Sequence, residues 1–227
     1  MTLLNKIGQV LTTDLTKDLK FKKTDITQDK QSFAQQLQRR RSIYSLGKKV
    51  AIQLDEIESL IQEAVRSCPA PLNTHSFRIV ILFNKSHQQF WYIVKEKQRQ
   101  LVPSQVFAGI AMKIEQCAAA FGTVLFYEDS SVIQRLQKQI PLHAEYFPIW
   151  AEQSSGMAQY AVWTALANSG LGAHLQHYNP VVDQIVTQHF ELPASWQLKA
   201  QLVFGSIEEE PKEKTDLNIH TCFKVFN

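Results

Sequence analysis

The sequence predicts an α+β domain, because it mixes helical stripes with short apolar runs that suit strands. Residues 55–65 and 102–121 have the apolar spacing of amphipathic helices. Apolar runs at 77–83 and 90–94 are typical of strands in a sheet that is covered on both faces. The chain has 227 residues and no Pro/Gly/Ser-rich linker, which favours one large domain over two small ones.

The first segment, residues 1–31, mixes Thr, Lys and Asp with isolated Leu and Phe. We treat it as an N-terminal extension of unknown role, attached to a domain at 32–227. The domain begins with a predicted helix that has Ser32 as its N-cap. The residues at helical spacing are Phe33, Gln36, Leu37 and Arg40, so the helix carries a run of arginines at its C-terminal end.

Caps and breakers define the next helix. Asp55 and Glu58 form a predicted capping box at its start. Pro69 and Pro71 end the helix and place Asn73 in a loop.

The middle of the chain contains two further helices and a strand. Gly122 is the predicted left-handed cap of helix 102–121. Residues 123–127 suit a strand, and Asp129 is the predicted cap of the helix that follows. Residues 157–167 are apolar on almost every side, so their helix must be covered all round, either at the centre of the domain or by another subunit.

Three elements are predicted near the C-terminus. Asn179 and Pro180 have the composition of a helix start, with Asn as the cap and Pro in the first turn. Residues 198–204 alternate between apolar and polar side chains, which predicts a half-buried strand. Residues 222–226 alternate less clearly, and we predict a short strand there.

Composition excludes several classes of protein. The net charge is +3, and the Lys and Arg residues are scattered among acids, which argues against a nucleic-acid partner. No apolar stretch reaches the ~18 residues of a membrane helix, and the N-terminus lacks the apolar region of a signal peptide. The cysteines, Cys68, Cys117 and Cys222, are odd in number and far apart, which indicates a reducing compartment. We therefore expect a cytoplasmic protein.

Three stretches carry the chemistry. The first is Arg39-Arg40-Arg41-Ser42-Ile43-Tyr44-Ser45-Leu46, the second Cys68-Pro69-Ala70-Pro71-Leu72-Asn73-Thr74-His75-Ser76, and the third Gly172-Ala173-His174-Leu175-Gln176-His177-Tyr178-Asn179-Pro180. Arginine presents paired N–H donors that match phosphate oxygens, and a following Ser adds a hydroxyl. Taken alone, the first stretch favours an exposed basic helix end, because cations are stabilised where a helix dipole ends.

In this order and at these separations, the three stretches resemble the flavin-binding segments of the nitroreductase family. The branch that they resemble most closely is that of the fatty-acid-repression-mutant-like proteins. The resemblance runs from about Phe33 to the C-terminus. It implies a mainly antiparallel central sheet flanked by helices, in an intertwined homodimer whose C-terminal strand is exchanged between subunits. It also implies that helix 157–167 contacts the partner.

The resemblance further implies an FMN site and assigns residues to it. Arg40, Arg41 and Ser42 would meet the phosphate and the pyrimidine side, Asn73 the ribityl chain or ring edge with His75 nearby, and the backbone of Leu175, Gln176 and His177 the ring. Lys212 and Lys214 stand where many relatives carry basic phosphate ligands. The flavin performs the redox chemistry, so no catalytic side chain and no metal is expected. NADH or NADPH would be the transient electron donor, and a nitroaromatic or quinone the small aromatic acceptor.

Tyr44 departs from the pattern of the family. Most nitroreductases have Lys or Arg at this position, two residues after the Ser of the motif, where the charge faces the anionic edge of the reduced ring. Tyrosine carries no positive charge, and the lost charge-assisted contact is worth roughly 1 to 2 kcal/mol more than a neutral hydrogen bond. For a two-electron couple this is roughly 20 to 40 mV. We predict a more negative flavin potential than in Lys-bearing relatives.

Several alternatives stay open from the sequence. The protein is either an enzyme or a flavin-binding stress-response or regulatory protein with incidental turnover, and a phosphate-ligand binder without flavin is a third option. His174 and His177 have the spacing of half a metal site, although a structural or ring-contacting role is favoured. Cys68 is either a small buried residue or a reactive thiol. Three aromatic residues belong either to the core or to a substrate pocket, namely Tyr146, Phe147 and Trp150.

Overall fold

An antiparallel sheet of five strands forms the centre of the protein. The computed structural model describes residues 32–211, 213 and 218–226, and the predicted extension 1–31 lies outside them. The helices are α1 Phe33–Arg39, α2 Leu54–Arg66, α3 Asn84–Leu101, α4 Ser104–Ala119, α5 Ser130–Gln139, α6 Phe147–Asn168, α7 Asp183–His189 and α8 Ile219–Cys222. The strands are β1 Leu46–Gly47, β2 Phe77–Phe83, β3 Gly122–Asp129, β4 Gly172–Gln176 and β5 Trp196–Ile207.

Strand β5 is the central strand, and every pairing in the sheet is antiparallel. It pairs with β3 along most of its length, with β4 at residues 201–205, and with the short β1 at residues 206 and 207. Strand β2 pairs with β3 and forms one edge, while β4 forms the opposite edge. The predicted α+β class with a mainly antiparallel sheet is therefore confirmed.

Helices cover both faces of the sheet. One face packs against α3, α4 and α7 through a core that includes Trp91, Ile114 and Val186. The other face packs against α2 and α6, with Ile61 and Val162 at the centre of the contact. Helix α6 is thus the central helix of one layer, and its Met157 and Tyr160 side chains are each 43% exposed. Within the described part of the chain, no helix has both the length and the apolarity needed to cross a membrane.

Several predicted elements form where the sequence placed them. Strand β2 has the predicted bounds, β3 includes the predicted strand 123–127, and α4 lies within 102–121. The Asp129 side chain caps α5 as predicted, since it accepts a hydrogen bond from Ser131 N–H at 3.1 Å.

The predicted strand at 90–94 is wrong, because these residues belong to helix α3. Phe90, Trp91, Ile93 and Val94 are buried, whereas Tyr92 is 59% exposed. That spacing covers one face of a helix. A short apolar run does not distinguish a buried strand from a buried helical turn, and the polar residues on either side complete a helix of 18 residues.

Three predicted helix ends are displaced. Helix α2 begins earlier than expected, and its capping box joins Gln53 N–H to Glu56 Oε2 at 3.1 Å instead of using Asp55. Gly122 does not cap α4 but begins β3, where a Cβ atom would stand 2.6 Å from the Phe204 ring. A side chain at position 122 would collide with the Phe204 ring, which explains why this residue is glycine. Helix α7 begins at Asp183, three residues after the predicted start at Pro180.

Strand β5 forms as predicted, but it is not half-buried. Gln201 is fully buried because its side chain is satisfied internally. Its Oε1 accepts from Tyr178 N–H at 2.7 Å, and its Nε2 donates to Asn179 Oδ1 at 3.0 Å. The alternation of polar and apolar residues therefore predicted the strand correctly, but the predicted half-burial of the strand is wrong.

The predicted strand at 222–226 is also not formed in the single chain. Cys222 ends α8, and residues 223–226 have no regular secondary structure. A strand requires a neighbouring strand for its hydrogen bonds. The described residues of one chain supply none to this segment.

Candidate functional site

The arginine-rich segment that follows α1 runs alongside the start of β4. Ile43 N–H donates a hydrogen bond to the Ala173 carbonyl at 3.0 Å, and Ser42 forms a parallel bridge with Ala173. The first and third sequence motifs are therefore neighbours in the structure.

Beyond this bridge, the outer edge of β4 offers main-chain donors. In an antiparallel ladder, the N–H and C=O of one residue point to the same side, and the side alternates along the strand. Because the Ala173 carbonyl points outward to Ile43, the N–H of Leu175 points outward too. The Leu175 carbonyl accepts a hydrogen bond from Gln176 Nε2 at 2.9 Å, consistent with its position outside the ladder. Leu175 N–H is thus a donor at the sheet edge.

A cavity of about 420 Å³ opens beside the arginine-rich segment. Its lining residues are Arg40, Arg41, Ser42, Tyr44, Ser45, Glu209, Glu210 and Pro211. Two guanidinium groups and a hydroxyl suit a phosphate. The negative charges of Glu209 and Glu210 offset the positive charges of the two arginines. A dianionic ligand would therefore bind more tightly if further cations lay nearby. Lys212 and Lys214, which follow Pro211 in the sequence, lie outside the described residues.

Arg40 is held against helix α6 by aromatic rings. Its guanidinium carbon lies 4.6 Å from the centre of the Trp163 ring and 5.8 Å from that of Tyr160. These distances are typical of cation–π contacts. Its Nε atom is buried and has no hydrogen-bond partner among the described residues. Arg40 therefore reaches the cavity with only part of its guanidinium group.

Tyr44 packs on a buried histidine of β4. The ring centres of Tyr44 and His174 are 5.0 Å apart, with an interplanar angle of 30°. His174 Nδ1 lies 2.9 Å from Gln176 Nε2, an amide donor, so that ring nitrogen is the acceptor. Burial lowers the pKa of His174 to about 4, so the ring is neutral at pH 7. Neither ring of this pair brings a positive charge to the cavity.

Comparisons with known proteins show which family the chain belongs to. The profile of the nitroreductase family matches residues 37–206. HBN1 of Saccharomyces cerevisiae is 34% identical over 198 residues, which are 86% of this chain and 97% of HBN1. The nitroreductase FRM2 of the same yeast is 33% identical over 182 residues, covering 79% of this chain and 90% of FRM2.

The chain belongs to the nitroreductase family. Its similarity to FRM2 also supports the fatty-acid-repression-mutant-like branch. It is therefore an oxidoreductase of the nitroreductase type.

Solved structures of nitroreductases extend the comparison. CinD of Lactococcus lactis in complex with chloramphenicol is 43% identical, with a TM-score of 0.80, and the match covers 86% of this chain and all of CinD. CinD has also been solved with 4-nitrophenol. A nitroreductase-fold protein of Desulfovibrio desulfuricans contains FMN; it is 17% identical, with a TM-score of 0.65, over 88% of this chain and all of that one. At that identity the likeness shows the fold alone.

The second motif does not line the cavity beside Arg40 and Arg41. Leu72 and Asn73 have φ values of 51° and 54°, and Asn73 Oδ1 lies 3.0 Å from His75 Nε2. The loop is attached to α6, where Ser154 Oγ donates to the Pro69 carbonyl at 2.8 Å. Cys68 and Ala70 of this motif also cluster with Ala158 and Ala161 of the same helix. None of the motif's residues is among those that line the cavity beside Arg40.

The remaining predicted ring contacts differ in their surroundings. Leu175 is partly buried and packs against the core, the Gln176 side chain folds back onto its own strand, and His177 is exposed. Sequence reasoning gave His174 a structural or ring-contacting role but did not assign it to the cofactor site, and it missed Trp163 as a neighbour of the site. His174 stands inside the third motif, whereas nothing in an all-round apolar helix distinguishes Trp163 from core residues.

Two alternatives from the sequence are resolved by burial. Cys68 is buried, its Sγ donates to the Ala64 carbonyl at 3.2 Å, and burial raises the pKa of its thiol, so it is a small buried residue. Phe147 is a core residue at 3% exposure. Tyr146 and Trp150 stack on each other at 5.9 Å, outside the described cavity lining.

Proposed function

We propose that this chain is an FMN-dependent oxidoreductase that uses NADH or NADPH to reduce nitroaromatic compounds or quinones. The observation that carries the proposal is a cavity lined by Arg40, Arg41 and Ser42, on a segment that runs beside the edge strand β4. Membership of the nitroreductase family supports it, as do the complexes of CinD with chloramphenicol and 4-nitrophenol.

The residues present fit FMN. Arg40, Arg41 and Ser42 would hold its phosphate, since their donors face a cavity of sufficient size for a phosphate end. Leu175 N–H, at the strand edge, would donate to the ring. We propose that Lys212 and Lys214 add the cations that offset Glu209 and Glu210.

When bound, FMN supplies the hydride transfer from the nicotinamide nucleotide to itself and then to the acceptor, in two steps at one ring face. The protein orients and tunes it. Tyr44 and the neutral His174 bring no positive charge to the edge of the flavin that becomes anionic on reduction, where Lys or Arg would provide one. No side chain acts as a nucleophile in this scheme.

We further propose a homodimer with one FMN at each of two interface sites. The loop that carries Asn73 and His75 is attached to α6, and neither residue lines the cavity beside Arg40 and Arg41. The corresponding loop of a second subunit would complete the cavity, which places the two motifs around one ligand.

The C-terminal tail supports exchange between subunits. Phe223, Val225 and Phe226 are 62%, 83% and 89% exposed, which is unfavourable for apolar side chains of one chain. A groove of about 620 Å³ lies between α2 and the edge strand β2, and its lining includes Ile61, Val65, Ile79, Ile81 and Phe83. An edge strand beside an apolar groove is suited to receive an added strand from a partner.

The test is to purify the protein, record its visible spectrum, and identify the released ligand by mass. The expected result is a yellow protein that releases FMN and oxidises NADH or NADPH in the presence of 4-nitrophenol or a quinone. Protein that stays colourless after FMN is added would refute flavin binding. A fully reducible flavin with negligible steady-state turnover would instead favour a regulatory protein.

A further inference from the structure

We infer that Trp163 is a positioning residue of the cofactor site, which acts by fixing the guanidinium group of Arg40. The inference rests on the proposed function, because it concerns the phosphate end of the same cavity. Trp163 itself is not among the residues that line the cavity.

The contact geometry restricts Arg40 strongly. The guanidinium carbon lies 4.6 Å from the centre of the indole ring. It also lies 5.8 Å from the centre of the Tyr160 ring, which is on the preceding helical turn and restricts the movement of the group on that side. Burial of Nε keeps that edge of the group away from the cavity. The N–H groups on the remaining edge are the ones that a ligand in the cavity can use.

Competition inside the cavity explains why this restraint matters. Glu209 and Glu210 line the same cavity as Arg40. A freely rotating guanidinium group would pair with one of these carboxylates, because Arg and carboxylate form two parallel hydrogen bonds. Among the described ion pairs, none joins Arg40 to either carboxylate. Stacking on Trp163 holds the guanidinium group in its place, so it is available to a phosphate.

The contact also links two layers of the structure. Arg40 follows α1 directly, and Trp163 lies on α6, which packs against the sheet. The position of Ser42 beside β4 and the position of Arg40 on α6 together set the direction of the intervening Arg41 backbone. Loss of the indole would therefore loosen the phosphate end of the site and leave the β4 edge unchanged.

The test measures FMN affinity of the apo-protein by quenching of flavin fluorescence. Trp163→Met keeps an apolar side chain without an aromatic face, and Trp163→Phe keeps a face. We expect Trp163→Met to weaken FMN binding by about 3- to 30-fold, the range of a partly desolvated cation–π contact. Trp163→Phe should recover most of the affinity. Trp150→Leu removes an indole from the same helix outside the cavity and should bind FMN normally.

A double-mutant cycle separates positioning from a general loss of structure. In an Arg40→Gln background, Trp163→Met should have no further effect on FMN affinity, since the two residues act as one unit. Additive effects would overturn the inference, as would wild-type affinity in Trp163→Met. If Trp163→Met does not fold, Trp163→Leu replaces it in the same cycle. Wild-type protein that binds no FMN would refute the proposed function itself, whereas binding that is indifferent to Trp163 refutes this inference alone.

Discussion

Glu128, near the end of β3, controls a pH dependence of stability that can be isolated by one substitution. The side chain is fully buried, and neither carboxylate oxygen has a hydrogen-bond partner of normal geometry among the described residues. Burial raises its pKa to about 7, from an ordinary value of 4.5. The nearby Ser76 hydroxyl opposes the shift, Glu152 adds to it, and Lys199 and Arg78 oppose it.

The sign and size of the effect follow from this shift. Between pH 4.5 and about 7, the folded protein keeps the proton of Glu128 whereas the unfolded chain releases it. The contribution of protonated Glu128 to the free energy of unfolding is complete below pH 4.5. It falls as the pH rises and is lost above pH 7. The shift corresponds to about 3 kcal/mol in the free energy of unfolding. Glu128→Gln removes this dependence, so the variant should be more stable than the wild type at pH 8.

Two buried histidines act in the opposite direction and hide the effect in the wild type. Burial lowers the pKa values of His87 and His174 to about 4. Each is neutral in the folded protein while the unfolded chain binds a proton, so each makes stability rise between pH 4 and 6.5. The wild-type profile should rise over this range. The fall due to Glu128 appears only in the difference between wild type and variant.

The assay is thermal unfolding of both proteins from pH 4.5 to 8. The difference in Tm should widen in favour of Glu128→Gln as the pH rises, by about 2–4 °C per kcal/mol for a chain of this size. Glu145→Gln, at an exposed position, is the matched substitution control. A difference that stays constant from pH 4.5 to 8 would refute the reasoning.

Three further predictions concern the cofactor and the dimer. Arg41→Ala should weaken FMN retention by ~1.5 to 3 kcal/mol, because it removes a charge-assisted contact. Equilibrium dialysis measures FMN retention, with Arg135→Ala as the control. Retention by Arg41→Ala equal to that of the wild type would contradict the phosphate assignment. Tyr44→Lys should raise the flavin potential by roughly 20 to 40 mV in spectroelectrochemical titration, and an unchanged or lower potential would count against the role of charge. Phe226→Asp should produce monomers in analytical ultracentrifugation because it places a charge on the apolar tail, whereas Leu142→Asp, at a similarly exposed apolar position, should not. A fully dimeric Phe226→Asp protein would argue against exchange of the tail.

Local patterns allowed much of the fold to be predicted. The strand β2 and the Asp129 cap depend on residues that are close in sequence, and both formed as expected. Family motifs predicted that the segments around Arg41 and Leu175 belong to one site, and the structure brings them together at β4. The helical state of 90–94 was missed because a run of five apolar residues satisfies both periodicities.

The sequence by itself determined the α+β class and the family, since both depend on spacing along the chain. Only the tertiary structure decided the partners of each side chain. It placed Arg40 on Trp163, Tyr44 on His174, and two glutamates in the lining of the cavity that also contains two arginines. These contacts join residues that are distant in sequence, and their geometry follows from how the helices and the sheet pack, which no local pattern encodes.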